Sequence, residues 1–158
     1  MTNLIIFLWC AFLVAVVTAL IYYSKHRSSC YSFQNYSTVD IPYISIDIQG
    51  ITFNMIVDSG GAVSIITQGA LQELSYEESK RQVNLNAITG ENVPSNMVTI
   101  PINVNGKEVK EDFVVHSVSD FGGFEVMYGI TIHGLLGNEF FEKTGCKIDY
   151  KKHTVTLK

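Results

Sequence analysis

The sequence predicts an all-β domain, either a barrel or a sandwich, that follows a single apolar helix. From residue 41 onward, short apolar runs alternate with turn signals such as Asn105-Gly106, a strong two-residue hairpin signal. Before that point, residues 4–23 are apolar throughout and include no Asp, Glu, Lys or Arg. Many short strands with little helix are typical of barrels and sandwiches.

Residues 1–24 are predicted to form an N-terminal transmembrane anchor, inserted through residues 4–23. About twenty apolar residues make a helix that crosses a hydrocarbon core roughly 30 Å thick. A cleaved signal peptide is the alternative, but its usual basic start is missing from Met1-Thr2-Asn3. The basic cluster Lys25-His26-Arg27 favours a cytoplasmic position for the following domain. Many N-terminally anchored hydrolases face outward, so the side of the membrane stays open.

Residues 25–40 are polar and serine-rich, as in a linker. The formal net charge of the chain is −4, which argues against nucleic acid as a partner because phosphate binding needs a basic face. The cysteines, Cys10, Cys30 and Cys146, show no Cys-x-x-Cys spacing, and the four histidines are scattered. A Cys30–Cys146 bridge is conceivable, but buried free thiols are expected, with no metal site and no cofactor.

The domain, residues 41–158, opens with a hairpin. Ile44, Ile46 and Ile48 alternate with polar residues, which predicts a half-buried strand. Gln49-Gly50 forms the turn, and residues 51–57 return as the second strand, which ends at Asp58.

The middle of the domain alternates strands with one helical segment. Strands are predicted over residues 63–67, 82–87, 97–104 and 107–115. Leu71, Leu74 and Glu78 predict a short helix or helical turn within residues 69–81. The connection over residues 88–96 is polar and contains Gly and Pro, so it is either a plain hairpin loop or a mobile flap over a site.

The C-terminal part is organised around a second glycine loop. Gly134 and Gly137 bracket Leu135-Leu136, and Asn138 is suited to cap a short helix that ends near Lys143. Residues 147–157 then form a closing hairpin.

The stretch with the strongest chemical content is Asp58-Ser59-Gly60-Gly61, which follows an apolar strand directly. Two consecutive glycines let the chain turn sharply and leave N–H groups free to bind a carboxylate. This pattern suits a catalytic acid, but a β-turn with a surface Asp has the same composition.

The pair of motifs Val57-Asp58-Ser59-Gly60 and Gly134-Leu135-Leu136-Gly137-Asn138-Glu139-Phe140, in this order and spacing, resembles the retropepsin-type aspartic proteases. The closing segment around Ile148 and Val155 is similar to the last strands of that family. The resemblance covers residues 41–158. It implies a closed β-barrel of the acid-protease type with one short C-terminal helix.

The resemblance also implies a homodimeric endopeptidase that acts on polypeptides, with no metal and no cofactor. Asp58 of each copy would form the catalytic pair, Ser59 would hydrogen-bond across the dimer axis, and Gly60 would bring its backbone close to the carboxylate. Supporting contacts would come from Gly61 and from the turn formed by Leu135, Leu136 and Gly137. Substrate would be covered by a flap that includes Thr89, Gly90 and Glu91.

One position departs from the family pattern, because Gly61 stands where Ala or Ser is usual. A glycine adds backbone freedom to a loop that must be rigid. A non-catalytic retropepsin-like module for dimerisation or peptide binding is therefore the alternative function. A membrane-tethered structural β-sandwich, with Asp58 in an ordinary turn, is a further alternative.

Overall fold

The computed structural model describes residues 2–25, 28–33, 42–86, 92–116 and 121–158. Four helices lie in these ranges: α1 (Thr2–Lys25), α2 (Gln68–Leu71), α3 (Gly122–Tyr128) and α4 (Asn138–Lys143). The strands there are β1 (Ser29–Ser32), β2 (Tyr43–Ile48), β3 (Ile51–Val57), β4 (Ser64–Thr67), β5 (Glu77–Asn86), β6 (Asn92–Val104), β7 (Lys107–His116), β8 (Gly134–Leu136), β9 (Lys147–Asp149) and β10 (Thr154–Leu157).

The strands form two sheets. The larger sheet has seven strands in the order β2-β3-β8-β4-β7-β6-β5, and the smaller one has the order β1-β10-β9. Most neighbours are antiparallel, but β3 pairs with β8 in parallel and β4 pairs with β7 in parallel. These parallel pairs bring segments that are far apart in the sequence to the centre of the larger sheet.

Alternation along the strands builds the core. On β2, Ile44, Ile46 and Ile48 are fully or almost fully buried, and on β3 Phe53 and Met55 point the same way. The core also receives Phe140 from α4 and Val155 from β10. Apolar burial contributes about 25 cal/mol per Å², so this shared interior is the main stabilising feature of the domain.

The expected barrel closure is wrong for the described residues, because the sheets do not close into a barrel. The larger sheet ends at β2 on one side and β5 on the other. Glu77, Glu78 and Lys80 on β5 are exposed. An edge strand that carries exposed charges is well suited to solvent and poorly suited to pairing with another edge.

The prediction of a short helix or helical turn within residues 69–81 is correct only at the start of this segment. Helix α2 ends at Leu71, and β5 begins at Glu77 and pairs with β6. The pairing register shifts between Glu78 and Gln82, as at a β-bulge. Tertiary pairing therefore overrides a weak local preference for helix.

Helix α3 was not predicted, so α4 is not the only short helix of the domain. The Gly-Gly-Phe-Glu-Val-Met-Tyr segment is helical, and Gly129 ends it in the left-handed conformation with φ of 67°. Val126 and Met127 on this helix are exposed. Glycine takes positive φ at low cost, which makes Gly129 an effective C-terminal stop signal.

The structure corrects part of the cysteine prediction. Cys10, Cys30 and Cys146 are all free thiols, but Cys10 and Cys30 are exposed and only Cys146 is partly buried. Cys30 lies opposite Thr156, which itself lies opposite Lys147, so a full strand separates Cys30 from the segment of Cys146. Burial raises the pKa of the Cys146 thiol to about 11.

Within the described part of the chain, no helix combines the length and the apolar character needed to cross a membrane.

Candidate active site

Asp58 follows the last residue of β3 and opens the loop that leads to β4. Its carboxylate is half-buried, whereas Ser59 and Gly60 are exposed. The Gly60 N–H donates to Asp58 Oδ1 at 2.9 Å. A main-chain N–H that faces a carboxylate stabilises its charged form and limits its rotation. The loop thus presents one oriented carboxylate at the surface of a single chain.

Strand β8 supports this loop from within the sheet. It lies between β3 and β4, with Leu136 opposite Val57 and Leu135 opposite Ile65. The Asp58 N–H donates to the Leu136 carbonyl at 3.0 Å. Two segments that the sequence singled out separately, the Asp58 loop and Leu135-Leu136-Gly137, are therefore joined by a direct hydrogen bond.

Two glycines allow β8 to approach this closely. A Cβ at Gly134 would lie 2.1 Å from the Ile65 carbonyl oxygen, and one at Gly137 would lie 2.5 Å from the Val63 carbonyl oxygen. Such distances are shorter than any van der Waals contact, and backbone atoms cannot move away as a side chain can. Glycine is required at both positions by space rather than by an unusual backbone angle.

Asn138 has a different role from the helix cap that the sequence predicts. The residue at the N-cap position of α4 is Gly137, which has no side chain to donate or accept a capping bond. Asn138 instead donates from its amide to the Ser59 carbonyl at 3.1 Å, and its N–H donates to the Gly61 carbonyl at 2.8 Å. It therefore ties the start of α4 to the loop.

Gly61 lies against the carboxylate of Asp58. A Cβ at this position would be 2.9 Å from Asp58 Oδ2, and the Gly61 N–H lies 3.3 Å from the Asp58 carbonyl. An alanine here would meet the end of a side chain rather than the backbone, so the carboxylate would have to shift. In this chain Gly61 leaves that face of Asp58 open, while Gly60 holds the other oxygen.

The remaining predicted residues lie less close to the carboxylate. The Ser59 hydroxyl is 3.5 Å from the Tyr150 hydroxyl, longer than a normal hydrogen bond between hydroxyl groups. The hydrogen bond of Ser59 across a dimer axis stays a prediction. Thr89, Gly90 and Glu91 lie outside the described residues.

Helix α4 is also held to the edge of the larger sheet by an ion pair. Arg81 of β5 donates to both carboxylate oxygens of Glu139, at 2.7 and 2.8 Å, and to Asp112 at 3.3 Å. The Arg81 hydrogen bonds hold the pKa of Glu139 below its ordinary value. The Glu139 N–H donates to the Ala62 carbonyl at 3.2 Å, so this pair lies next to the loop.

Sequence reasoning missed a polar cluster formed by Ser64, Glu111 and the partly exposed Lys143. Ser64 and Glu111 are fully buried. The signal was present in β7, where Val109, Glu111 and Phe113 fall on one face by alternation. A carboxylate at a core position of a strand indicates a specific partner. Among the described residues, no three His, Cys, Asp or Glu side chains lie close enough to bind a metal ion.

His133, which precedes β8, has a structural setting. The Asn54 N–H donates to its Nδ1 at 3.0 Å, and its ring meets the Phe53 ring edge-on at a centroid distance of 5.2 Å. Its neutral form therefore carries the proton on Nε2. Burial lowers the pKa of His133 below its ordinary value of 6.5.

This lowered pKa predicts that acid weakens the fold. Because the unfolded chain takes up the proton more readily, the contribution of His133 to stability is complete above about pH 6.5. This contribution is lost as the pH falls from about 6.5 through the pKa of His133 in the folded chain. Below that pKa, His133 causes no further change in stability. Urea denaturation of the full chain should give a lower midpoint at pH 5 than at pH 7.5. His133→Asn offers an acceptor near Nδ1 without a charge change, so its profile should be flatter; a profile parallel to that of the parent would contradict this assignment.

Comparison with known proteins identifies the family and the fold. A family model described as "Aspartyl protease" matches residues 44–140, more than half of the 158-residue chain. EIAV protease complexed with the inhibitor HBY-793 is 17% identical, with 73% of this chain and 99% of that chain covered and a TM-score of 0.50. A retropepsin-like aspartic protease from Rickettsia conorii is 18% identical, with 83% and 90% covered and a TM-score of 0.52.

At 17% and 18% identity, the similarity to these two solved structures shows only that the fold is shared. No curated protein matches the sequence significantly. The family model covers the first hairpin, the Asp58 loop and the Gly134–Leu136 strand together with the start of α4. The chain belongs to the aspartyl protease family and has an all-β retropepsin-like fold.

Proposed function

We propose that this chain is a homodimeric aspartic endopeptidase in which each copy contributes Asp58 to one shared site. The observation that carries the proposal is the single Asp58 carboxylate, bound to the Gly60 N–H in a loop backed by Leu136. The sequence contains one Asp-Ser-Gly motif. One chain therefore supplies half of the two-carboxylate arrangement that aspartic proteases use.

The chemistry follows from placing two such carboxylates side by side. Two carboxyl groups about 3 Å apart share one proton, because both cannot be charged at low cost. The charged group removes a proton from a bound water, which attacks the peptide carbonyl. The protonated group polarises that carbonyl and then helps to protonate the leaving nitrogen. Raising the pH removes the shared proton, so activity falls on the alkaline side, and the pair titrates as a unit.

An extended polypeptide is the substrate class that we propose. A chain lying between two copies can pair its backbone as an added strand, and alternate side chains then occupy pockets on either side. The exposed position of Ser59 and Gly60 on a single copy supports access from the side on which the second copy would lie.

Activity should depend on assembly. Below the dissociation constant of the dimer, cleavage of an unstructured polypeptide should rise with the square of protomer concentration, because only paired chains hold both carboxylates. The measurement is initial rate against concentration, with the oligomeric state determined in the same buffer by analytical ultracentrifugation. A rate that stays linear in protomer down to a demonstrated monomer contradicts the shared site. Absence of any cleavage across a peptide library would favour the non-catalytic module.

We also propose that residues 4–23 hold the enzyme at a membrane. The uncharged run of the sequence supports this, as does the exposure of apolar side chains on α1, among them Trp9, Phe12, Leu13 and Leu20. Confinement to a surface raises the effective concentration of protomers and would favour pairing. The full chain should remain with the membrane pellet after alkaline carbonate extraction and enter the supernatant only with detergent. Recovery in the carbonate supernatant would show that these residues do not anchor it.

A further inference from the structure

A polar cluster lies beside the Asp58 loop and consists of the buried Ser64 and Glu111 and the partly exposed Lys143. The Ser64 hydroxyl donates to Glu111 Oε1 at 2.8 Å. Lys143 Nζ donates to Glu111 Oε2 at 2.7 Å and to the Lys110 carbonyl at 3.1 Å. Three elements, β4, β7 and α4, therefore meet at one carboxylate that has no contact with solvent.

The cluster is connected to the loop through one hydrogen bond. The Gly137 N–H donates to the Ser64 hydroxyl oxygen at 3.1 Å. Gly137 directly follows Leu136, which receives the Asp58 N–H, and directly precedes Asn138, which binds the Ser59 and Gly61 carbonyls. A continuous chain of contacts therefore runs from Lys143 to both ends of the Asp58 loop.

The Glu111 carboxylate determines the direction of the hydrogen bonds that the Ser64 hydroxyl makes. A hydroxyl has one hydrogen and two lone pairs. Because that hydrogen is donated to Glu111, the lone pairs of Ser64 are left to accept the Gly137 N–H. A charged acceptor orients the hydroxyl in one direction, which an apolar residue at position 111 could not do.

Stability alone is a poor explanation for this arrangement. Glu111 is fully buried while the Lys143 side chain stays 36% exposed, so the cost of removing the carboxylate from water offsets much of what the pair contributes to stability. The cluster is nonetheless fully satisfied, since no buried side-chain nitrogen or oxygen in the described part of the chain lacks a partner. Its connection to the Asp58 loop gives the buried Glu111 carboxylate a specific role.

We propose that Ser64, Glu111 and Lys143 are positioning residues for the aspartyl site, acting through Gly137 to hold the Asp58 loop in its reactive geometry. This inference rests on the proposed protease function. None of the three side chains touches Asp58, so none is a catalytic residue.

The protonation of Glu111 explains why Lys143 matters. Burial raises the pKa of Glu111, while hydrogen bonds from Lys143 and Ser64 oppose that rise. Without the ammonium group, Glu111 is more readily protonated. A protonated carboxyl can donate to Ser64, which then reverses the direction of its hydroxyl and competes with the Gly137 N–H.

The test compares Lys143→Met with Lys143→Arg and Lys110→Met in the full chain. Lys143→Met keeps the apolar stem and removes the charge, so kcat should fall about 10- to 100-fold with KM within about twofold, as expected for a misplaced reactive group. Lys143→Arg restores the charge and should recover most of that loss. Lys110→Met is the matched control, since the Lys110 side chain makes a surface pair with Glu77 at 3.7 Å and leaves its own carbonyl in place. A kcat for Lys143→Met within twofold of the control would overturn the proposal.

Amide hydrogen exchange provides a readout that needs no activity. In Lys143→Met, the Asp58 and Gly137 amides should exchange at least about tenfold faster than in Lys110→Met, while amides of the paired Ile102 and Val109 stay unchanged. Uniform acceleration of all amides would mean that the cluster only stabilises the fold, which overturns the inference. If the parent cleaves no peptide, the proposed function fails. The exchange experiment still tests the cluster in that case, because faster exchange confined to Asp58 and Gly137 supports its role in holding the loop and uniformly faster exchange contradicts it.

Discussion

Asp58→Asn is expected to reduce peptide cleavage at least about 1,000-fold, because an amide can neither accept the proton of water nor donate one as an acid. The fold should survive. The amide oxygen of Asn can still accept the Gly60 N–H, so the loss of a charge-assisted bond at this half-buried position costs about 1 kcal/mol or less. The measurement is kcat/KM on an unstructured polypeptide, together with the urea midpoint of the same preparation.

Asp47→Asn is the matched control for this substitution. Asp47 also accepts a main-chain N–H from a nearby glycine, Gly50, at 3.1 Å, but it lies on β2 and is exposed. Its variant should cleave like the parent. Mixing the parent with excess Asp58→Asn protein should also lower the activity of the parent, since mixed pairs hold one carboxylate. Equal cleavage by Asp58→Asn and the parent would show that Asp58 is not the catalytic acid.

Gly134→Ala is expected to have the largest effect on stability, about 3 kcal/mol or more, because its methyl group would overlap backbone. The added Cβ would lie 2.1 Å from the Ile65 carbonyl oxygen and 2.9 Å from the end of Met55. Relief requires separating β8 from β4, which breaks the pairing of Gly134 with Ile66. Urea unfolding at fixed pH measures the change in the free energy of unfolding.

Gly123→Ala is the corresponding control, because a Cβ at that helical position meets nothing within 4 Å. Alanine is favoured over glycine in a helix by about 0.5–1 kcal/mol, so this variant should be as stable as the parent or slightly more stable. If Gly134→Ala unfolded within about 1 kcal/mol of the parent, a value typical of ordinary substitutions, the tight approach of β8 to β4 would be wrong.

The residue pattern predicted the local elements well where alternation was strong. The β2–β3 hairpin, the Asn105-Gly106 turn, α4 and the closing β9–β10 hairpin all occur close to their predicted positions. These elements depend on neighbours in the sequence, since side-chain alternation and turn residues act over a few positions. The two motifs that carry the family resemblance are likewise local, and the family model covers both of them.

The prediction of secondary structure from the sequence failed where the local residue pattern was weak. The stretch after Leu71 carries both apolar spacing and charges, and pairing with β6 made part of it a strand. The open ends of the larger sheet also follow from long-range pairing, which no single segment specifies.

From the sequence alone, the chain could be recognised as an all-β aspartyl protease relative with Asp58 at the end of a strand. Only the tertiary structure placed Leu136 against the Asp58 N–H and connected Gly137 to Ser64, Glu111 and Lys143. Residues 58 and 136 meet because β3 and β8 pair in parallel across a long separation in the chain. Hydrogen bonds between distant segments depend on that packing, whereas the strand pattern and the glycine loops are properties of the local sequence.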